Sequence, residues 1–525
     1  MDTKKNKSKN KALVSISKMK KIYNFEQSES LIKKLKKQKK KIVLCHGVFD
    51  LVHIGHIKHF TVAKSLGEVL IVSITKNEFI NKGPGRPVFN HNIRAEYLSG
   101  LSIIDYVIIN NSPTSVSLIK RVKPNIYCKG FDYKDEKKDS TKQIINEKNA
   151  VKSAGGSIHF TNEITNSSSS LLNNFLEIFN NKQKKIINQV KKEILKNKDL
   201  SVNYKKLSKL KILVIGETII DHYIFGEAIG KSGKDPIIAL QEEKDEKYIG
   251  GAATIASHIS SFSNNVTLMS VIGEKNTYKE FLKKNLPKHI KKIWIIKKNA
   301  PTIIKKRYID NTSGNKLLST YVMNDRLLSK NEEEKVINIL TKKIKSFDLV
   351  VVSDYGHGFL SKKIGDLISK KSNFLSFNAQ INAANRGYHT MKNYFKSNLA
   401  IINESELRHE MRDKNTDIKV LMKQICRDLN IEDLVVTMGS RGSILLNKKL
   451  NNFYFCEAFA KKIVDKVGSG DAMLSVISLF LKCGFGRNFA LLAGSLAAAQ
   501  SLENFGNRKF ISFDKLKKTI EHILK

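Results

Sequence analysis

The sequence contains no run of eighteen or more apolar residues, which excludes an ordinary membrane-spanning helix. Its start, Met1 to Lys21, is lysine-rich but lacks the continuous apolar core and small-residue cleavage site of a secretory signal, so the chain reads as cytoplasmic. Cysteine is scarce. Cys45, Cys128, Cys426, Cys456 and Cys483 are odd in number and scattered, with no pair at metal-ligand spacing. That argues against a disulfide framework or a structural zinc motif and for ordinary buried thiols. Acidic residues are also few, 49 against 92 basic ones, giving a net charge of +43. Such an excess can be the footprint of nucleic acid. Lysine, asparagine and isoleucine are abundant along the whole length, however, and no aromatic stacking motif accompanies the lysine runs. The charge therefore reads as compositional bias and a solvated basic surface. The densest run, Lys33 to Lys41, fits one exposed helix face, and no short internal repeat is present.

What is present is apolar content of 41% spread over 525 residues, more than one hydrophobic core usually supports, so two domains are expected. Strands and helices alternate from Lys41: strand Lys41 to Cys45, helix His53 to Leu66, strand Val69 to Ile74, helix from Asn90, strand Tyr106 to Ile109, helix Ser115 to Val122, strand Asn125 to Lys129. That alternation predicts a doubly wound parallel sheet, whose ligands bind beyond the C-terminal strand ends. Residues Phe175 to Lys209 contain neither proline nor glycine and place Ile186, Ile187, Val190 and Ile194 at helical spacing, as in a helical connector. A second α/β unit then begins with strand Lys211 to Gly216 and continues through strands near Val266 to Ile272, Leu349 to Ser353, Asn398 to Ile402 and Leu434 to Thr437.

Between the first strand and helix, Cys45-His46-Gly47-Val48-Phe49-Asp50 runs into His53-Ile54-Gly55-His56. Two imidazoles near a positive helix end make a place for phosphates. These residues resemble the nucleotidyltransferase superfamily that includes glycerol-3-phosphate cytidylyltransferase and the adenylyltransferase half of the heptose kinase/adenylyltransferases. The resemblance extends through Gly85-Arg86-Pro87-Val88, Arg94, Lys129-Gly130-Phe131-Asp132-Tyr133 and Ser167 to Ser170, about the first 175 residues. It implies that His53 and His56 act on the triphosphate and that Gly47, Phe49, Gly55, Lys64, Arg94, Ser168 and Ser169 bind nucleotide. Lys129 and Asp132 would meet the sugar phosphate. Class I aminoacyl-tRNA synthetases share the tetrapeptide but need a lysine-rich loop far downstream, whereas Ser17-Lys18-Met19-Lys20 lies upstream.

From Lys211 onward, Gly216 to Asp221, Gly250-Gly251-Ala252, Ser353-Asp354-Tyr355, Asn403-Glu404-Ser405-Glu406, Thr437-Met438-Gly439 and Gly468-Ser469-Gly470-Asp471 occur in the order of the ribokinase-like carbohydrate kinases, which this stretch resembles. The resemblance implies Asp471 as general base toward a sugar hydroxyl and the amides of Gly468, Ser469 and Gly470 as the anion hole. It further implies nucleotide contacts from Thr437 and Gly439, sugar contacts from Asp221, Gly250 and Gly251, and an indirect role for Asn403 and Glu406 toward Mg2+. Three positions depart from the pattern: Thr254 follows Gly-Gly-Ala-Ala where asparagine is usual, Asn378-Ala379-Gln380 replaces Asp-Pro-Lys, and Lys466 replaces a common threonine. They bear on substrate identity, since base and anion hole remain.

The expectation is thus an α/β protein of two doubly wound domains. A basic segment 1–40 precedes a Rossmann-like nucleotidyltransferase over 41–175; a helical linker over 176–209 leads to a ribokinase-like kinase with a small β lid over 210–525. Sugar phosphate and ATP, or CTP, are the expected substrates, with Mg2+ at both sites. Nucleic acid and membrane are not expected partners, and a homodimer is left open. The two halves would make consecutive steps of nucleotide-sugar synthesis, of ADP-heptose type. The alternatives are a CTP-using first half, or a kinase half that is altered in specificity or serves as a sensing module. In the heptose enzymes the two halves come in the reverse order.

Overall fold

In the computed structural model, which describes residues 21–130, 143–161, 179–196, 200–233 and 235–524, the chain divides near residue 178 into two compact units. The first holds a six-stranded, wholly parallel sheet of β1 (Ile22–Asn24), β2 (Ile42–Gly47), β3 (Val69–Thr75), β4 (Tyr106–Asn110), β5 (Ile126–Gly130) and β6 (Ser157–Thr161), in the order β1-β4-β3-β2-β5-β6. Its helices are α1 (Ser28–Lys37), α2 (Ile54–Ser65), α3 (His91–Ser99), α4 (Val116–Val122) and α5 (Gln143–Ser153). Ile42 to Cys45 and Leu70 to Val72 are buried on both faces, which is why these segments read as unbroken apolar runs. The strand order reverses between β2 and β5, so a crevice opens beyond their C-terminal ends, the usual ligand position of an open α/β sheet.

Residues 21–40 do more than lead into this unit. Ile22–Asn24 pairs with β4 at the sheet edge, and α1 buries Leu31, Ile32 and Leu35 while its lysines face water. Each of those apolar side chains contributes about 1.5–3 kcal/mol by leaving water. The basic run is therefore the solvated back of a packed helix.

The second unit is built on a sheet of order β10-β9-β7-β13-β14-β15-β16-β17-β18. Its members are β7 (Ile212–Lys231), β9 (Val266–Lys275), β10 (Lys291–Pro301), β13 (Leu349–Asp354), β14 (Leu375–Ala379), β15 (Ser397–Asn403), β16 (Ile431–Thr437), β17 (Ser443–Asn447) and β18 (Asn452–Cys456). All neighbours are parallel except the last two pairings. The far half of β7 leaves this sheet and pairs with β8 (Ile238–Gly251) and with β11 (Ile303–Asp310), which in turn pairs with β12 (Lys316–Val322). This small lobe is the expected lid.

The segment expected as a linker forms α6 (Asn181–Lys196) and α7 (Leu200–Lys209), both grouped with the second unit. Ile186, Ile187 and Val190 are buried, and Glu193 accepts from the Phe489 amide at 2.9 Å. The helical spacing was a packing face, so these helices belong to the second unit's body.

Candidate functional sites

In the first unit, β2 ends at Gly47 and the chain turns through Phe49, which sits at φ +47° with its ring under Gly47. A Cβ at Gly47 would stand 2.8 Å from that ring, so any side chain there displaces the Phe49 ring that packs against His56. The Phe49 ring is buried and packs edge-on against His56 and Phe60, at centroid distances of 5.3 and 5.1 Å. Its side chain props His56 from below, a different part from the expected nucleotide contact. Asp50 pins the facing loop, accepting from the amides of Val88 (2.9 Å) and Phe89 (3.0 Å) with Arg86 3.6 Å away.

His53 is the N-cap of α2, and its Nδ1 accepts from the Gly55 amide at 3.1 Å. His56 Nδ1 accepts from the His53 amide at 3.4 Å, completing a reciprocal cap, and the two rings lie 4.1 Å apart. Burial lowers the pKa of His53 and carries that of His56 down to about 3, with His53 and His59 adding to the latter. Both rings are therefore neutral at pH 7. A neutral ring whose Nδ1 accepts carries its proton on Nε2. Each imidazole is thus a hydrogen-bond donor at a positive helix end, suited to an anion and pre-set against acting as a cation. His46, behind them, contacts Ser73 Oγ at 2.5 Å, and burial lowers its pKa to about 4.

Two expected clamps lie elsewhere. Lys64 sits eleven residues beyond His53, about 16 Å along a helix, and its Nζ donates to Asp105 Oδ2 (2.5 Å) and the Glu68 carbonyl (2.7 Å). Arg94 is fully buried; its guanidinium donates to the carbonyls of Phe89 (2.9 Å), Val48 (2.6 Å) and Thr75 (2.9 Å) and to Asn77 Oδ1 (2.8 Å). It ties the Gly47–Asp50 turn to its neighbours from beneath. Lys129, at the end of β5, is buried against Glu147 at 3.0 Å, and Glu147 also accepts from Ser115 at 2.7 Å. Burial works against the Glu147 charge, yet Lys129 and Ser115 hold its pKa below the usual carboxylate value. Asp132, Ser168 and Ser169 lie outside the described residues.

In the second unit, Gly468 adopts φ +85° and caps the helix Ser469–Lys482. A Cβ there would meet Asn507 Oδ1 at 2.3 Å, while Gly470 faces open space. Asp471 lies in the first helical turn and its Oδ1 accepts from Tyr355 Oη at 3.0 Å. Desolvation raises its pKa to about 7, Tyr355 pulling downward and Asp221 upward. Tyr355 is set by a buried frame: Glu217 accepts from the amides of Tyr355 and His357, both at 3.0 Å, and Asn382 and Asn385 both donate to the Tyr355 carbonyl at 2.8 Å. Burial and the Asp354 charge push the pKa of Glu217 upward, and burial does the same to Asp354.

Asp221 is buried and already paired. Arg307 Nη1 donates to its Oδ1 at 2.6 Å, Asn507 Nδ2 reaches its Oδ2 at 3.3 Å, and a Cβ on Gly250 would fall 2.4 Å from that oxygen. Gly251, at φ +63°, leaves no room for a Cβ beside the Glu217 carbonyl. Lys305 is buried within the fields of Asp221, Glu217 and Asp471, and burial lowers its pKa. Lys305 and Arg307 were not foreseen. Both come from the lid strand β11, aligned with Asp221 and Tyr223 on β7, and two cations spaced by two in a half-apolar strand were the available signal.

Asn403 and Thr437 are neighbours at the C-terminal ends of β15 and β16. Asn403 caps the helix Glu404–Met411: its Oδ1 accepts from the Glu406 amide at 2.8 Å, and Glu406 accepts from the amides of Asn403 (3.0 Å) and Ile381 (3.2 Å). Burial raises the Glu406 pKa to about 7. A carboxyl so held suits Mg2+ contact through water or phosphate, since each oxygen already serves an amide. Gly439, at φ +60°, opens the turn after Thr437. Thr254, at the asparagine position, spends its hydroxyl on the Ile249 carbonyl at 2.7 Å, and Asn378 donates to the Ile401 carbonyl at 2.7 Å.

A family model described as pfkB family carbohydrate kinase matches residues 209–512, and one described as cytidylyltransferase-like matches residues 44–174. The bifunctional protein HldE of Nitratiruptor sp. is 25% identical over 293 residues, 55% of this chain and 61% of that protein. HldE of Campylobacter jejuni is 26% identical over 329 residues, 60% and 68% of the two chains. That of Aliarcobacter butzleri is 41% identical over 138 residues, 26% and 29% of the two chains. The chain thus spans between 29% and 68% of the length of these relatives. With its second unit matched almost end to end, the chain belongs to the pfkB family of carbohydrate kinases and carries a cytidylyltransferase-like region ahead of the kinase fold.

Proposed function

We propose that the chain makes a nucleotide sugar in two steps. In the second unit, Asp471 accepts the proton of a sugar hydroxyl as its oxygen bonds to the γ-phosphorus of ATP, and ADP leaves. The amides at Gly468 to Gly470 receive the charge of the transferring group, with Lys305 and Arg307 offsetting the acids around it. Glu406 and Asn403 would hold Mg2+ through water. In the first unit a sugar 1-phosphate oxygen attacks the α-phosphorus of a nucleoside triphosphate and pyrophosphate leaves, while the Nε2 protons of His53 and His56 stabilise the phosphate oxygens.

One observation carries this reading: each unit presents a helix N-terminus beyond its parallel strands, one capped by His53 and armed with neutral imidazole donors, the other capped by Gly468 and armed with a carboxyl whose pKa is raised to about 7. The sugar is a heptose-type phosphate and the nucleotide ATP, by analogy with the HldE relatives. The cytidylyltransferase-like match supports CTP at the first site as the second reading. The test is incubation of the full chain with ATP or CTP, Mg2+ and a panel of heptose and hexose phosphates, with products read by mass. A sugar bisphosphate is expected from the sugar phosphates, and a nucleotide sugar with pyrophosphate from those that carry a 1-phosphate; absence of any newly phosphorylated sugar would remove the kinase assignment.

A further inference from the structure

One group of side chains serves neither proposed reaction. Cys45 on β2, Cys128 on β5 and His59 on α2 are all buried, and their ligand atoms lie within 4.8 Å of one another. Among the described residues no other three such groups meet this closely. The sheet brings the thiols together: Cys45 and Cys128 are direct partners across the parallel β2–β5 pair, although far apart in sequence. The His59 ring is fixed by Thr161 on β6, whose Oγ1 lies 3.0 Å from Nδ1. Imidazoles that bind metals are regularly oriented by such a second partner.

We propose that Cys45, His59 and Cys128 form a buried site for a thiophilic d10 cation, zinc(II) or copper(I). Two thiolates and an imidazole are the donor set such ions prefer, and with no carboxylate in the group it does not suit magnesium or calcium. Two thiolates also neutralise a divalent ion, which allows its burial without stranding charge. Around tetrahedral zinc, donor atoms stand about 3.3–3.8 Å apart, so the side chains close by about 1.5 Å at most. Zinc would add one external ligand; copper(I) is satisfied by the three donors but leaves one negative charge, which the Lys129 ammonium acting on Cys45 offsets. The ion would clamp the C-terminal ends of β2 and β5 to α2, one helical turn beyond His56, and so stiffen the frame of the imidazole pair.

Packing alone does not require sulfur, because alanine leaves the core apolar; Cys45→Ala and Cys128→Ala therefore test the ion. The full chain, reduced and stripped with chelator, is titrated with zinc(II) alone and with copper(I) alone against a chromophoric competitor. Cobalt(II) serves as the optical probe. One equivalent of zinc or copper is expected, with a near-ultraviolet thiolate-to-cobalt band. Uptake is lost in Cys128→Ala and kept in Cys483→Ala, which removes a buried thiol elsewhere. Thr161→Val, isosteric and outside the donor set, should weaken binding about 10- to 100-fold. Near-ultraviolet dichroism verifies folding; should the alanine variants unfold, Thr161→Val decides. Uptake no greater than that of the Cys45→Ala/Cys128→Ala double variant, or Thr161→Val binding as tightly as the parent, overturns the site. So does a Cys45–Cys128 disulfide mapped by mass in protein purified without reductant. Metal alone is the ligand throughout, so failure here leaves the nucleotidyl-transfer reading untouched.

Discussion

The two candidate sites share an architecture and solve opposite electrostatic problems. Both use a helix N-terminus beyond parallel strands. In the first unit burial strips charge from the imidazoles, so His53 and His56 become neutral donors held by their own cap. In the second, burial raises the Asp471 pKa to about 7, while Tyr355 and Lys305 keep the charged form within reach. One site needs donors that never change protonation; the other needs a group that can. The same desolvation serves both, because it penalises a cation in one case and an anion in the other.

The largest expected effect separates the sites outright. Asp471→Asn keeps the side-chain volume and removes the base, so ATP-dependent phosphorylation should fall by about 10²–10⁴-fold. Pyrophosphate release from a supplied sugar 1-phosphate should be unchanged. A phosphorylation rate within tenfold of the parent would make the first-turn acid no more than a helix-stabilising charge.

His56→Asn is the mirror experiment. Loss of one pre-set donor toward the developing phosphate charge should cost about 10²–10³-fold in nucleotidyl transfer, with phosphorylation untouched. Both histidines share in the α2 cap, but His53 is the N-cap itself, whereas Asn at 56 keeps an acceptor for the His53 amide, so His56 is the cleaner position. An equal loss of both activities would point to misfolding and erase the contrast between the sites.

The legibility of the chain follows the same divide. Gly47 to His56 and Gly468 to Asp471 were readable because a turn and the helix it opens are contiguous, so the motif carries its own geometry. Lys305 and Arg307 were not, because pairing of β11 with β7 brings them beside Asp221 from 84 and 86 residues away. Arg94 was misplaced for the opposite reason. Its charge suggested phosphate, but the turn after β2 leaves carbonyls that need donors, and a buried guanidinium supplies them. The edge strand Ile22–Asn24 and α1 were hidden by lysines, although Leu31, Ile32 and Leu35 already held helical spacing.

A smaller effect sharpens the electrostatic contrast. Phosphorylation needs Asp471 deprotonated, so kcat/KM should rise with pH and level off above a limb near 7, following its raised pKa. Tyr355 donates to the carboxylate and lowers that pKa, so Tyr355→Phe should move the limb upward by about one unit. Nucleotidyl transfer should show no limb from His56 between pH 6 and 8, because burial carries its pKa down to about 3. A descending limb near 6.5 in that reaction would mean that a histidine titrates at its ordinary value and that burial does not set its state.

The smallest expected effect is at Lys64, where sequence and structure part most plainly. As a phosphate clamp it would repay substitution with a large loss of nucleotidyl transfer. Its ammonium instead bonds Asp105 at the far end of α2, with about a third of each side chain exposed. Such a half-exposed pair is worth about 0–1 kcal/mol and weakens with salt. Lys64→Ala should thus lower the unfolding midpoint by a few degrees at most and leave KM for the nucleotide within twofold. Asp105 also accepts from the Leu70 amide at 2.6 Å, so it keeps a partner when the lysine is gone. A tenfold rise in KM with unchanged stability would return Lys64 to the substrate and require α2 to move when nucleotide binds.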